Sequence, residues 1–236
     1  MYTFNIIGRA IMGNAIVIIA PNKEDMLSVY LPSVERFAAK HGVAIEVVSE
    51  EEYGFKKRNG YNFKIFEKFQ VQKFTDKYDR ILRIDVDVIF SPDCPNVFDI
   101  FDPECIAVVY EDHGRRRRHR RQQMNSVQKV MGEYDASSRY FNAGIVLTSK
   151  CHSELYNVSK EYLKGVMHKE GMGKYKEQNL MNWRVRNLGY CTVDMGYKFN
   201  HMRFNGNPQD SYIVHFAGRQ DGKIDNMKKL YNYWYA

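Results

Sequence analysis

The chain is predicted to fold as a three-layer α/β sandwich around a central, mostly parallel sheet. Three observations carry that expectation: continuous apolar runs of strand length, amphipathic helical stretches between them, and the alternation of the two along the amino-terminal part of the chain. Runs that are apolar throughout belong to strands covered on both faces, and helices on either side of a parallel sheet provide that cover.

Residues 14–22, NAIVIIAPN, open as such a run, which Pro21 and Asn22 end. Residues 23–41 place Met26, Leu27, Val29, Tyr30, Val34, Phe37 and Ala38 at helical spacing, and Gly42 supplies the stop. Residues 43–50, VAIEVVSE, read as a second strand and residues 62–78 as a helix with an aromatic stripe. A third strand lies within residues 78–93, YDRILRIDVDVIFSPD. Further strands are predicted within 103–112, 140–150 and 211–219, and helices within 153–167 and 176–189, the last stopped by Gly189. No repeat or linker divides the sequence, so residues 1–236 are expected to form a single domain.

Composition narrows the function classes. A hydrophobic fraction of 44% with 14% aromatics excludes a disordered chain. The 35 Lys and Arg against 28 Asp and Glu leave a net charge of +7, which suits an anionic ligand. Cys94, Cys105, Cys151 and Cys191 show no CxxC pairing and are expected as scattered reduced thiols without a zinc site. The apolar stretch at 10–20 is too short to span a bilayer and lacks a cleavage region. No membrane anchor is therefore expected, and the location is expected to be cytoplasmic, or the chain a soluble catalytic domain of a longer protein.

Asp85 and Asp87 break the apolar run of the third strand. Burying an ionised carboxylate without a partner is costly, so something should compensate them. Two residues apart, they face the same side of an extended segment, near the strand end where α/β sheets bind ligands. A pair of this kind suits a hard divalent cation; a strand edge with solvated acids is the alternative.

Asp85-Val86-Asp87 resembles the D-x-D signature of nucleotide-sugar-dependent glycosyltransferases of the GT-A fold, those of family 8 above all and relatives such as family 34. Three more blocks follow in that family's order. Phe141-Asn142-Ala143-Gly144 is similar to its FNAG strand. Glu177-Gln178-Asn179-Leu180-Met181-Asn182 resembles D-Q-x-x-x-N, with Glu in place of Asp, and His215-Phe216-Ala217-Gly218 resembles H-x-x-G.

The resemblance implies a GT-A type, Rossmann-like sandwich and a metal-dependent enzyme. It would move a hexose or pentose from a nucleotide-sugar, a UDP-sugar, to a glycan, protein-linked glycan or other hydroxyl acceptor, with retention of configuration. It implies Mn2+ or Mg2+ held by Asp85, Asp87 and His215. Gln178, Asn142 and Glu177 are the implied catalytic residues, beneath the anomeric carbon or gripping the sugar hydroxyls. Ala20, Asn22, Lys68, Asp85, Val86, Gly218 and Arg219 are the implied donor contacts. Taken alone, His215 also reads as a core histidine and Lys68 as a solvated helix lysine. The following Ala217-Gly218 favours the ligand reading, because glycine lets backbone approach a phosphate.

Two features stand outside that pattern. The family's phosphate-binding lysine, six positions after the histidine within K-P-W, is absent: Asp221 occupies the place, and Arg219 or Lys223 is the candidate replacement. Residues 114–123, GRRRRHRRQQ, are strongly basic and read first as a solvated loop or helix. Their functional readings are an acidic acceptor, a phosphate-rich surface or nucleic acid. A basic nucleic-acid-binding protein using the 115–121 run is thus the alternative function, although it accounts for none of the four blocks and nucleic acid is not an expected partner.

Overall fold

The computed structural model describes residues 13–56, 63–132, 139–173, 175–218 and 220–236. Strand β1 (Asn14–Ile19) leads into helix α1 (Glu24–His41), which ends on Gly42 in the left-handed conformation, and then into β2 (Ala44–Val48). A 3-10 helix, Phe63–Phe74, precedes β3 (Arg80–Ile84), β4 (Val88–Phe90) and the short α2 (Val97–Ile100). Next come β5 (Ile106–Tyr110), α3 (Arg116–Met131) and β6 (Phe141–Ser149). Helices α4 (Lys160–His168) and α5 (Lys176–Asn187), strands β7 (Thr192–Asp194) and β8 (Ile213–His215), and helix α6 (Lys223–Tyr235) complete the chain.

The six-stranded sheet runs β2-β1-β3-β6-β5-β7, and only β6 is antiparallel to its neighbours. Successive residues of each strand alternate between two apolar clusters. Ala15, Val17, Ile81, Val108 and Val146 pack with Phe66, Phe69, Met124, Val127, Leu163, Val166, Leu180 and Met181. Ile16, Ile18, Leu82, Ile84, Ala107 and Ile145 pack on the opposite face with Val29, Tyr30, Val34, Phe37, Met227 and Leu230. The fold is the expected three-layer α/β sandwich with a mostly parallel sheet.

The segment expected as an amphipathic helix before β3 is a 3-10 helix. A repeat of three residues per turn stacks positions i and i+3, and Phe66 and Phe69 lie on one face with their rings 6.4 Å apart. The buried carboxylate of Glu67 anchors this helix by accepting from the backbone N–H groups of Glu52, Tyr53 and Gly54. Three charge-assisted bonds offset the burial of one anion, and they fix the orientation of the neighbouring Lys68.

The expectation for the cysteines is corrected at one pair: Cys105 and Cys191 form a disulfide. Each immediately precedes a strand, and β5 and β7 pair in parallel with Ile106 opposite Thr192, so the two thiols are brought side by side. Bonds of this kind persist in oxidising surroundings, which the sequence reading of scattered reduced thiols did not provide for. Cys94 and Cys151 are free. No helix among the described residues is long and apolar enough to cross a membrane.

Candidate active site

Asp85 and Asp87 lie in the bend between β3 and β4, at the carboxyl end of the parallel strands. Strand β4 pairs antiparallel with β8, placing His215 opposite Val88 and therefore beside the aspartates. His215 Nε2 is 3.2 Å from Asp87 Oδ1 and 3.7 Å from Asp85 Oδ2, and one ligand atom from each residue falls within 4.8 Å of the others. Two carboxylate oxygens and an imidazole nitrogen converging in this way form a donor set that fits a divalent cation such as Mn2+.

The imidazole is fixed from behind. Its Nδ1 lies 2.9 Å from Asn200 Oδ1, and Asn200 Nδ2 donates to Asn142 Oδ1 at 3.0 Å. The amide of Asn200 thus spends its oxygen on His215, so Nδ1 carries the proton and Nε2 is left facing the aspartates. Gly144 makes room for the ring: a Cβ there would lie 2.1 Å from His215 Cε1 and 2.6 Å from Nδ1.

Three cations balance the acidic centre. Lys68 Nζ lies 2.9 Å from Asp85 Oδ1 and 3.4 Å from Glu177 Oε1. Arg83, fully buried on β3, reaches Asp85 Oδ1 at 2.7 Å, and Lys223, at the start of α6, reaches Asp87 Oδ2 at 2.8 Å. Burial alone would push the Asp87 carboxyl up, but His215 and Lys223 outweigh it and hold the group well below the usual carboxylate range. Glu177 Oε2 is buried and has no hydrogen-bond partner, an acceptor left open in the floor of the site.

Beside this centre lies a second polar cluster. Asn142 Nδ2 donates to Glu111 Oε2 and Gln178 Oε1, and Gln178 Nε2 donates to Glu111 Oε1 and the Tyr140 hydroxyl, all at 2.9 to 3.3 Å. Gln178 Oε1 also accepts from the backbone N–H of Ala143 at 3.1 Å. Asn182, at the end of the same block, clamps the Phe141 backbone by accepting from its N–H and donating to its carbonyl. The FNAG strand and the α5 block are thereby locked together, with Glu111 as their shared carboxylate.

The basic run forms the first turns of α3 and is only partly solvated. Arg120 is buried and pairs with Glu111, and Arg116 lies 3.6 Å from the same carboxylate. Arg115, Arg117, Arg118 and Arg121 are exposed. One helical turn separates Arg116 from Arg120, so both point inward while the residues between them point out.

Of the other candidates from the sequence, Ala20 is buried just past β1, whose register pairs Ile18 with Ile84, so it stands level with Val86 in the same end of the sheet. Asn22 has φ 56° and donates to Glu51 Oε1 at 2.6 Å. Gly218 has φ 78°, a conformation glycine adopts without strain. Arg219 lies outside the described residues. The sequence reading passed over Glu111, Asn200 and Arg83. Arg83 had a local signal, a charge inside an apolar strand; Glu111 and Asn200 had none.

Residues 23–220 match a family model described as glycosyl transferase family 8. No curated protein sequence matches the chain. Among solved structures, a glycosyltransferase involved in the glycosylation of the major capsid of PBCV-1 gives a TM-score of 0.63 at 13% identity, covering 92% of this chain and 99% of that one. The galactosyltransferase LgtC, solved with donor and acceptor sugar analogs, gives 0.61 at 16% identity, covering 94% and 96%. The bifunctional glycosyltransferase WbbM gives 0.56 at 13% identity, covering 99% of this chain and 53% of that one. At these identities the likeness establishes a shared GT-A type fold.

Proposed function

Since the chain belongs to glycosyl transferase family 8, we propose that it moves a hexose or pentose from a UDP-sugar to a hydroxyl of a glycan or protein-linked glycan, with retention and with a divalent metal. The observation that carries this reading is the convergence of Asp85, Asp87 and His215 from distant stretches of the chain. A cation bound there would neutralise the charge that develops on the diphosphate leaving group.

The chain's own residues would do the rest. Lys68 and Lys223 each hold a carboxylate of the centre, and each would turn to the diphosphate when that carboxylate is engaged elsewhere. Lys223 is then the replacement for the phosphate lysine missing at Asp221. Glu177 Oε2 would accept a hydroxyl of the transferred sugar. Asn142 and Gln178, fixed by Glu111, would form a rigid polar floor beneath the anomeric carbon. Ala20, Asn22, Val86, Gly218 and Arg219 are the proposed contacts of the nucleotide.

The test is hydrolysis of a panel of UDP-sugars, without acceptor, in Mn2+ and in chelator. Release of UDP from one or more donors only in Mn2+ supports the reading. Hydrolysis of none, or equal hydrolysis in chelator, removes it.

A further inference from the structure

Among the described residues, the charges around Asp85, Asp87 and Glu177 balance, with Lys68, Arg83 and Lys223 as partners. Around Glu111, among the described residues, they do not. Arg120 and Arg116 share this single carboxylate. Arg203, which is exposed, is the sequence neighbour of Phe204, whose ring lies 3.5 Å from Arg116 Cζ. Burial lowers the Arg116 pKa, Glu111 opposes that, and Arg120 and Arg203 lower it further, as expected where like charges crowd together. Among the described residues, two guanidinium groups thus share one carboxylate, that of Glu111, which itself accepts from Asn142 and Gln178.

Aromatic rings stand beside it. Phe204 and Tyr175 are both exposed, at 37% and 44%, and Arg120 Cζ lies 4.8 Å from the Tyr175 ring. Exposed aromatic faces pack against the apolar face of a sugar ring, while guanidinium groups give paired donors to a carboxylate or phosphate. Asn142 links this cluster to the Asp85, Asp87 and His215 centre, bonding Glu111 on one side and, through Asn200, His215 on the other.

We propose that the acceptor is an anionic saccharide, a uronate or a sugar phosphate, held by Arg116 and Arg203 between the rings of Phe204 and Tyr175. This rests on the transferase reading above and names the acceptor class for that same site.

The experiment measures transfer by the full chain, with Mn2+ and the UDP-sugar it hydrolyses. The acceptors are p-nitrophenyl hexosides, the matching uronides and the matching hexoside 6-phosphates. A charged form should be preferred to its neutral parent by about tenfold or more, the scale of one charge-assisted contact. The uronide and phosphate arms then separate the two kinds of anion. Arg203→Gln should bring the charged-to-neutral ratio close to one, Arg203→Lys should retain most of it, and Arg118→Ser, on the outer face of α3, should leave it unchanged. Equal or better use of the neutral sugars overturns the proposal, as does stimulation by no saccharide at all. A higher donor KM in Arg203→Gln with an unaltered ratio assigns the cluster to the diphosphate and overturns it too. A short oligonucleotide that competes as well as the charged sugars would reassign the cluster to nucleic acid. Failure of the transferase reading is seen separately, as absence of donor hydrolysis before any acceptor is added, and withdraws the proposal with it.

Discussion

Nδ1 of His215 lies 2.9 Å from Oδ1 of Asn200, and this contact decides which imidazole nitrogen faces the aspartates. Asn200→Ala should leave a buried N–H unpaired, lowering stability by about 1 to 3 kcal/mol. Mn2+ affinity should fall by about 10- to 100-fold, as for other partners that orient a ligating histidine. Calorimetric titration of the variant with Mn2+, beside its urea midpoint, checks both; unchanged affinity in a folded variant would show that the relay does not set the ligand.

Metal and nucleotide should enter together. Lys68 and Lys223 already neutralise Asp85 and Asp87, so a lone cation must displace them and a lone diphosphate meets carboxylates. Thermal melts should therefore show little stabilisation by UDP in chelator and more from UDP with Mn2+ than the separate shifts added. Purely additive shifts would count against a shared site.

Asp87→Asn exchanges one carboxylate oxygen for an amide nitrogen and removes the charge, with little change of shape. Turnover should fall by at least about a hundredfold, the scale of losing a preorganised charge at a reaction centre. The variant should remain folded, because Lys223 is part-exposed and can turn to water. Near-normal turnover would exclude Asp87 as a ligand.

Alkaline pH should expose the buried tyrosines. Burial first of all raises the Tyr140 hydroxyl well above its ordinary value, and burial raises Tyr30 and Tyr156 likewise. A phenol whose folded pKa lies above its unfolded pKa stabilises the fold below the unfolded value, about 10, and that contribution is lost as pH rises beyond it. Between pH 10 and 11 each such group should cost about 1 kcal/mol. Tyr140→Phe forfeits the bonds to Asn179 and Gln178 at neutral pH but should lose less stability than the parent between those two values. Urea midpoints at pH 9, 10 and 11 test the difference in slope.

Much of this site can be read along the chain because its pieces carry local signatures. The aspartates interrupt an apolar strand, the FNAG strand carries its own asparagine and glycine, and His215 precedes a small-residue turn. Glu111 looks like any acid after a strand; it matters because β5 lies beside β6, which places it against Asn142. Asn200 sits outside the named helices and strands, and its role exists only once β8 has brought His215 to it. The disulfide depended on β7, a three-residue strand too short for any periodic signal. The basic run could be read as charge but not as direction: helix α3 turns Arg116 and Arg120 inward onto an acid that the sequence left unremarked.

Gly144 ties two distant stretches of chain into one genetic unit. Even a methyl group at this position would collide with the His215 ring, and displacing the ring moves the nitrogen that faces the aspartates. In a combinatorial library the two positions should therefore behave as a single locus. Bulk at 144 would survive only beside a smaller residue at 215, with loss of the nitrogen donor. Retuning the cation preference proposed for this site has to proceed through neighbours that can vary one at a time, and Asn200 is the first of them.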